Sequence, residues 1–323
     1  SSELKSSKAI INSSYFIPNP FTFVKIKASF LFKICQMFNQ TLYQKNLSRY
    51  SKPSFIEQEV NQRLLEKLDF IHDQPKTILD LGCGGGEGLK LLGERFPEAK
   101  LHGLDLNKNV ITKGKTTLAD KSIELTHADF NQKLPYPAHH FDLVIANFSI
   151  QASDNIYELL ERIFEILKPN GLFLFSLLAE ESLPEFQESW HAIDQSPHNN
   201  PFISTKDMAG ILQESKFKDP VLDCEHIALE YAEVKDAIAD IREFNEPLAL
   251  NKIRTTLTGK SRWQKFEETW QKNYTNGQGK ITSSYHIMYG HACKPEKAEL
   301  KLKGNEARIG LAELSAFLKK EQK

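Results

Sequence analysis

Thr77-Ile78-Leu79-Asp80-Leu81-Gly82-Cys83-Gly84-Gly85-Gly86-Glu87-Gly88 runs from a short apolar segment straight into glycines, and Leu89, Leu91 and Leu92 then open a helical pattern. The spacing predicts a strand, a tight turn and a helix. Glycine suits such a turn because, lacking a Cβ, its backbone takes positive φ and a ligand can lie against it. A second apolar run, Leu101-His102-Gly103-Leu104-Asp105, ends in a carboxylate. It lies about 20 residues further on, where an acidic side chain receives ribose hydroxyls. A glycine-rich loop alone is often only a turn. With Asp105 behind it, nucleotide-type binding is the better reading.

Working outward, the stretch Phe38 to Leu68 has helical spacing and Pro75 ends it. Strands are expected at 77–81, 101–105, 123–126, 141–147 and 172–178, with helical patterns between them. Asp154 is the expected N-cap of the fourth helix, which Pro169-Asn170-Gly171 should stop. Such alternation implies a doubly wound sheet, because parallel neighbours need crossover connections. Ligands bind these sheets at the carboxyl ends of the strands. Asp80 with the glycines, Asp105, Asp129 and Asn147 all fall at such ends.

Beyond residue 180 the rhythm changes. A helix is expected over Ser182 to Ile193, a loop at Ser196 to Pro201, a helix capped by Ser204, and strands near 221–230 and 281–292. About 45 residues separate those last strands, too many for a plain connection, so a helical lid is expected at about 232–278. The expected fold is α/β: a Rossmann-like, doubly wound, seven-stranded, mostly parallel sheet with an antiparallel last strand and an inserted lid. Residues 1–36 read as a basic arm, 37–295 as the main domain, and 296–323 as a basic tail. In that tail Ile309, Leu311, Leu314, Phe317 and Leu318 fit one amphipathic helix.

Composition narrows the function classes. The chain has 323 residues, 40% hydrophobic and 26% charged, enough for a sizeable core. A formal net charge of −1 gives no global signal for nucleic acid. Lys5, Lys8, Lys25, Lys27, Lys33, Lys45 and Arg49 face only Glu3 in the first 50 residues, which reads as a solvated or partly disordered arm. Tyr15 to Phe38 is apolar, but lysines interrupt it and Pro18 and Pro20 break it, against a membrane span or signal peptide. Cys35, Cys83, Cys224 and Cys293 form no C-x-x-C pair and are expected as reduced thiols of a cytoplasmic protein. His139-His140 lacks further ligands at metal spacing, so no metal is expected.

A glycine turn followed by acidic strand ends could serve NAD, FAD or S-adenosylmethionine. The pattern Asp80-x-Gly82-x-Gly84-x-Gly86, with Asp129-Phe130 after the third strand, resembles the cofactor motif of class I S-adenosylmethionine-dependent methyltransferases. The resemblance implies that Asp80, Gly82, Cys83, Gly84 and Gly86 face the methionine part. Asp105 and Leu106 would meet the ribose, Asp129 and Phe130 the adenine, and Asn147 would complete the site. Three further stretches carry a narrower likeness: Asn147-Phe148-Ser149-Ile150-Gln151; Ser182-Leu183-Pro184-Glu185-Phe186 with Trp190, Asp194, His198, Asn200 and Phe202; and Ser284-Tyr285-His286 with Tyr289-Gly290-His291-Ala292. With Phe38 and Tyr43, these resemble the malonyl-acyl-carrier-protein O-methyltransferases of biotin synthesis, over about 36–295. Ala152 departs from the pattern, which has Trp there.

That resemblance implies methyl transfer to the free carboxylate of malonyl on acyl carrier protein, a methyl ester that primes fatty-acid elongation. The product would be S-adenosylhomocysteine. A carboxylic acid with a pKa near 4 is already ionised at neutral pH, so no catalytic base is nominated. Tyr43, Gln151, Arg254 and Arg262 are the candidates for orienting the acceptor, by hydrogen bonds or a guanidinium fork. An acidic carrier protein should meet a basic lid face of Lys252, Arg254, Lys260, Arg262 and Lys265, with the chain acting as a monomer. The alternatives are a methyltransferase for another small carboxylate or a quinone precursor, and a non-catalytic cofactor-binding assembly factor.

Overall fold

The computed structural model describes residues 53–70, 74–118, 123–244 and 258–296, and the backbone of three short strand segments outside them. Tyr43, Lys252, Arg254, Cys35, the rest of the basic arm and the apolar positions of the tail helix lie outside the described residues. In chain order the elements are β1 (Ile10–Asn12), α1 (Phe55–Glu66), β2 (Thr77–Leu81), α2 (Glu87–Arg95), β3 (Lys100–Asp105), α3 (Lys108–Thr117), β4 (Ile123–His127), β5 (Phe141–Asn147) and α4 (Ile156–Ile166). They continue as β6 (Leu167–Leu178), α5 (Pro184–His191), α6 (Thr205–Glu214), β7 (Lys218–Tyr231), α7 (Val234–Phe244), α8 (Lys260–Tyr274), β8 (Ile281–Cys293), β9 (Leu302–Lys303) and β10 (Glu306–Ala307).

Strands covered on both faces need continuous apolar runs rather than alternation. In β2, Ile78, Leu79 and Leu81 are fully buried, and Leu143 to Ala146 of β5 and Phe173 to Phe175 of β6 are equally enclosed. The main sheet has the order β1-β7-β8-β6-β5-β2-β3-β4. β2 to β6 pair in parallel, whereas β8 runs antiparallel to both β6 and β7. The seven expected strands are therefore present in the expected sense, and β1 adds an eighth on the exposed edge of β7, Ile11 opposite Ile227. For those three residues the reading as a solvated arm is corrected: an edge strand offers unpaired backbone groups that an Ile-Ile-Asn segment can pair with.

Helices cover both faces. Leu64 of α1, Leu89 of α2, Ile111 of α3, Trp190 of α5, Ile238 of α7 and Trp270 of α8 join one apolar cluster; Leu159 of α4 and Ile211 of α6 join the other. The two helices inserted between β7 and β8 thus share the main core. Among the described residues no helix is long and apolar enough to cross a membrane.

Two local expectations are corrected. Asn155, not Asp154, caps α4, its side-chain oxygen accepting from Tyr157 N at 3.1 Å and Glu158 N at 3.4 Å. Asp154 instead donates its own N–H to Asn131 Oδ1 at 3.0 Å. Pro169-Asn170-Gly171 does not delay the fifth strand to Leu172. β6 begins at Leu167, opposite Phe141, and resumes with Leu172 opposite Leu143, so the breaker residues form an irregularity within the pairing. Asn170 takes φ 61°, and its N–H donates to Lys294 O at 2.8 Å, so the chain turns without leaving the sheet. Ser54, finally, closes a capping box on α1: Glu57 N donates to its Oγ at 3.3 Å and Ser54 N to Glu57 Oε2 at 2.6 Å.

Candidate functional site

Gly82, Gly84 and Gly86 take φ of 82°, 53° and 92°, a region closed to most side chains. The turn is pinned to the end of β3, Gly82 N and Cys83 N both donating to Leu104 O, at 2.7 and 3.1 Å. A Cβ on Gly82 would lie 2.2 Å from Ser149 Cβ, so the residues after β5 close on the turn. Ser149 Oγ donates to Leu81 O in the same place. The ends of β2, β3 and β5 thus converge at one rim.

Asp105 sits at that rim. One carboxylate oxygen accepts from Gly84 N at 2.9 Å and the other from Asn107 N at 2.7 Å. Burial raises its pKa, and these two N–H groups oppose the rise. Asp80, just before the glycines, is 6% exposed. Burial, aided by the carboxylates of Asp105 and Glu87, pushes its pKa up to about 7. Burial likewise pushes the Cys83 thiol up, away from thiolate chemistry. Cys83 packs under the turn, and a Cβ on Gly103 would fall 2.7 Å from its sulfur.

The other expected residues divide. Leu106 packs beside the second apolar cluster, and its carbonyl meets His127 Nε2 at 3.0 Å. Asp129 closes a turn by accepting from Asn131 N at 2.9 Å. Phe130 is buried with Leu104 and Leu134. Asn147 is committed to structure: its amide donates to Glu57 O at 3.0 Å and its oxygen accepts from Ser176 Oγ at 2.6 Å. This bridge fixes the start of α1 against the ends of β5 and β6. Phe148 then takes φ 50° and Gln151 Oε1 accepts from Leu178 N at 3.1 Å. Ala152 is buried among apolar residues of the second cluster.

His127 was missed by sequence reading, although it stands opposite Asp105 in the β3–β4 register. Its only signal was a position two residues before Asp129.

The 182–202 stretch is fastened to the start of β8. Ser182 Oγ donates to His286 O at 2.9 Å, His286 N to Ser182 Oγ at 3.0 Å, and Ser284 N and Oγ to the buried Glu185 carboxylate at 3.0 and 2.5 Å. Trp190 stacks on His198, ring centres 3.9 Å apart, and on Phe266 at 4.4 Å. His198 Nε2 meets Asp194 at 2.9 Å, and Arg262 pairs with the other oxygen of Asp194. The guanidinium expected to orient an acceptor therefore already holds one protein carboxylate. Because β6 ends opposite Ile287 of β8, this assembly and the glycine turn occupy the same edge of the sheet.

Residues 53–219 match the family model described as a methyltransferase domain. The chain is 28% identical over 252 residues to a protein of Gallionella capsiferriformans named malonyl-[acyl-carrier protein] O-methyltransferase, covering 76% of this chain and 86% of that one. A protein of the same name from Legionella pneumophila is 29% identical over 260 residues, covering 80% and 91%. The fold is also that of the YcgJ protein from Bacillus subtilis, with a TM-score of 0.53, 13% identity, and coverage of 73% of this chain and 99% of that one.

Proposed function

Because the chain belongs to the family of methyltransferase domains, we propose that it methylates the free carboxylate of malonyl-acyl carrier protein, with S-adenosylmethionine as donor. The observation that carries this reading is the likeness to the two named relatives, whose aligned 252 and 260 residues exceed the stretch 53–219 that matches the general family. Ser284 and His286, beyond residue 219, lock onto Ser182 and Glu185 within that stretch. The methyl ester would prime the fatty-acid elongation that leads to biotin.

The residues present fit the donor. The positive-φ glycines leave open backbone, Asp105 is the rim carboxylate proposed to meet the ribose hydroxyls, and Asp80 is a buried carboxylate suited to a cation. S-adenosylmethionine would supply an electrophilic methyl group. The acceptor carboxylate is ionised without help at neutral pH, so the protein's task is to align and desolvate it rather than to remove a proton. Arg262, steadied by Asp194, and Gln151 are the described candidates for that alignment, with Tyr43 and Arg254 beside them from outside the described residues. The inserted helices α7 and α8 act as the lid. Its basic positions Lys260, Arg262 and Lys265 face the acidic carrier protein.

The deciding assay incubates methyl-labelled S-adenosylmethionine with malonyl, succinyl and acetyl carrier-protein thioesters. Label is expected on malonyl as a base-labile ester. Label on acetyl, which has no free carboxylate, would overturn the reading.

A further inference from the structure

The side-chain amide of Asn61, on α1, makes no hydrogen bond to any described residue, although half-buried amides normally find partners and Asn is a poor interior helix former. Its place is informative. It lies four residues after Glu57, on the same helical stripe, and Glu57 O is the atom that Asn147 ties to the end of β5. That stripe faces the glycine rim. A Cβ added to Gly88, the second residue of α2, would lie 2.9 Å from Asp80 Oδ2 and 3.1 Å from Asn61 Nδ2. The absent side chain is what allows the carboxylate and the amide to approach each other above the first turn of α2, whose backbone N–H groups have no intrahelical partners. Asp80 has no hydrogen-bond donor among the described residues, and only other carboxylates, Asp105 and Glu87, act on it electrostatically.

We propose that Asn61 is a binding residue for the α-amino-acid end of S-adenosylmethionine, working beside Asp80 across the gap at Gly88. The inference rests on the methyltransferase reading and adds to it a contact from α1, outside the glycine motif. The chemistry is that of a zwitterion: Asp80 meets the ammonium group, and the Asn61 amide, with the open end of α2, meets the carboxylate beside it. No nucleoside lacking the amino acid would use this corner.

Calorimetry on the full chain tests it with two ligands, S-adenosylhomocysteine and 5′-methylthioadenosine, which share the adenosine but not the amino acid. Asn61→Ala is expected to weaken S-adenosylhomocysteine about tenfold or more while leaving 5′-methylthioadenosine within about twofold. Asn61→Ser, less disruptive to α1, should show the same selectivity. Equal weakening of both ligands, or no effect on either, would overturn the role of Asn61. A wild-type chain that binds neither ligand would instead overturn the cofactor reading on which it depends.

Discussion

The two halves of the sheet handle charge in opposite ways. In the second half, around β6 to β8, carboxylates are answered: Glu185 by Ser284, Asp194 by His198 and Arg262, Glu225 by Arg63 and Tyr289, Asp223 by Lys67. In the first half, at the ends of β2 and β3, Asp80 has among the described residues only other carboxylates for electrostatic company, and Asp105 holds two backbone N–H groups of its own loops. A buried charge without a partner is costly and is retained where a ligand supplies the partner. The first half thus has a rim open to completion, whereas the carboxylates named in the second are already closed off by protein partners.

The largest effect should come from the closed half. Trp190→Ala removes a buried ring stacked on His198 and Phe266, and should cost roughly 3–5 kcal/mol in urea denaturation. It should leave S-adenosylhomocysteine affinity within about twofold, since among the described residues the ring's aromatic contacts are Phe186, His198, Trp263 and Phe266, none of them on the glycine rim. A large loss of binding would break the separation of the halves. Gly82→Ala tests the open half. A left-handed φ and a Cβ 2.2 Å from Ser149 together predict a loss of about 3 kcal/mol, here with loss of cofactor binding. Gly277→Ala, where a Cβ would meet nothing within 4 Å, is the control and should change little.

Protonation sharpens the contrast further. The folded pKa of Asp80, about 7, lies above its value of about 3.9 in an unfolded chain, so the folded state binds the proton more tightly. Its contribution to stability is fully present below about pH 4 and is lost as the pH rises through about 7. Thermal melts should therefore show Asp80→Asn gaining on the wild type over that window. Affinity for S-adenosylhomocysteine should move the other way, rising towards pH 8 in the wild type as the carboxylate ionises, and staying flat in the variant. A flat wild-type profile would detach Asp80 from the ammonium group. The smallest effect is expected at the surface pair of Lys216 with Glu161, at 3.2 Å and about two-thirds exposed on both sides; Lys216→Ala should cost at most about 0.5 kcal/mol.

These contrasts were only partly visible in the amino-acid order. Strand positions were legible because enclosed parallel strands are written as local apolar runs, and the turn because positive φ is written as glycine. Pro169-Asn170-Gly171 was legible as a break but not as a bulge, because only pairing with Phe141 and Leu143 keeps both flanks in one strand. Asn155 prevailed over Asp154 as the cap because Asn131, 23 residues earlier, claims the Asp154 N–H. Asn147 occupies a strand end like Asp105, yet its amide is taken by Glu57 and Ser176, partners 90 and 29 residues away.

By itself, then, the sequence determined the doubly wound sheet, the glycine turn and the acidic rim, since each depends on backbone preferences and periodicities that act over a few neighbouring residues. Only the tertiary structure decided which polar groups at that rim are spent and which are open. Hydrogen-bond partners are chosen in space, and the turn of α1 that brings Asn61 over Gly88 beside Asp80 is set by packing against strands that the chain reaches only later.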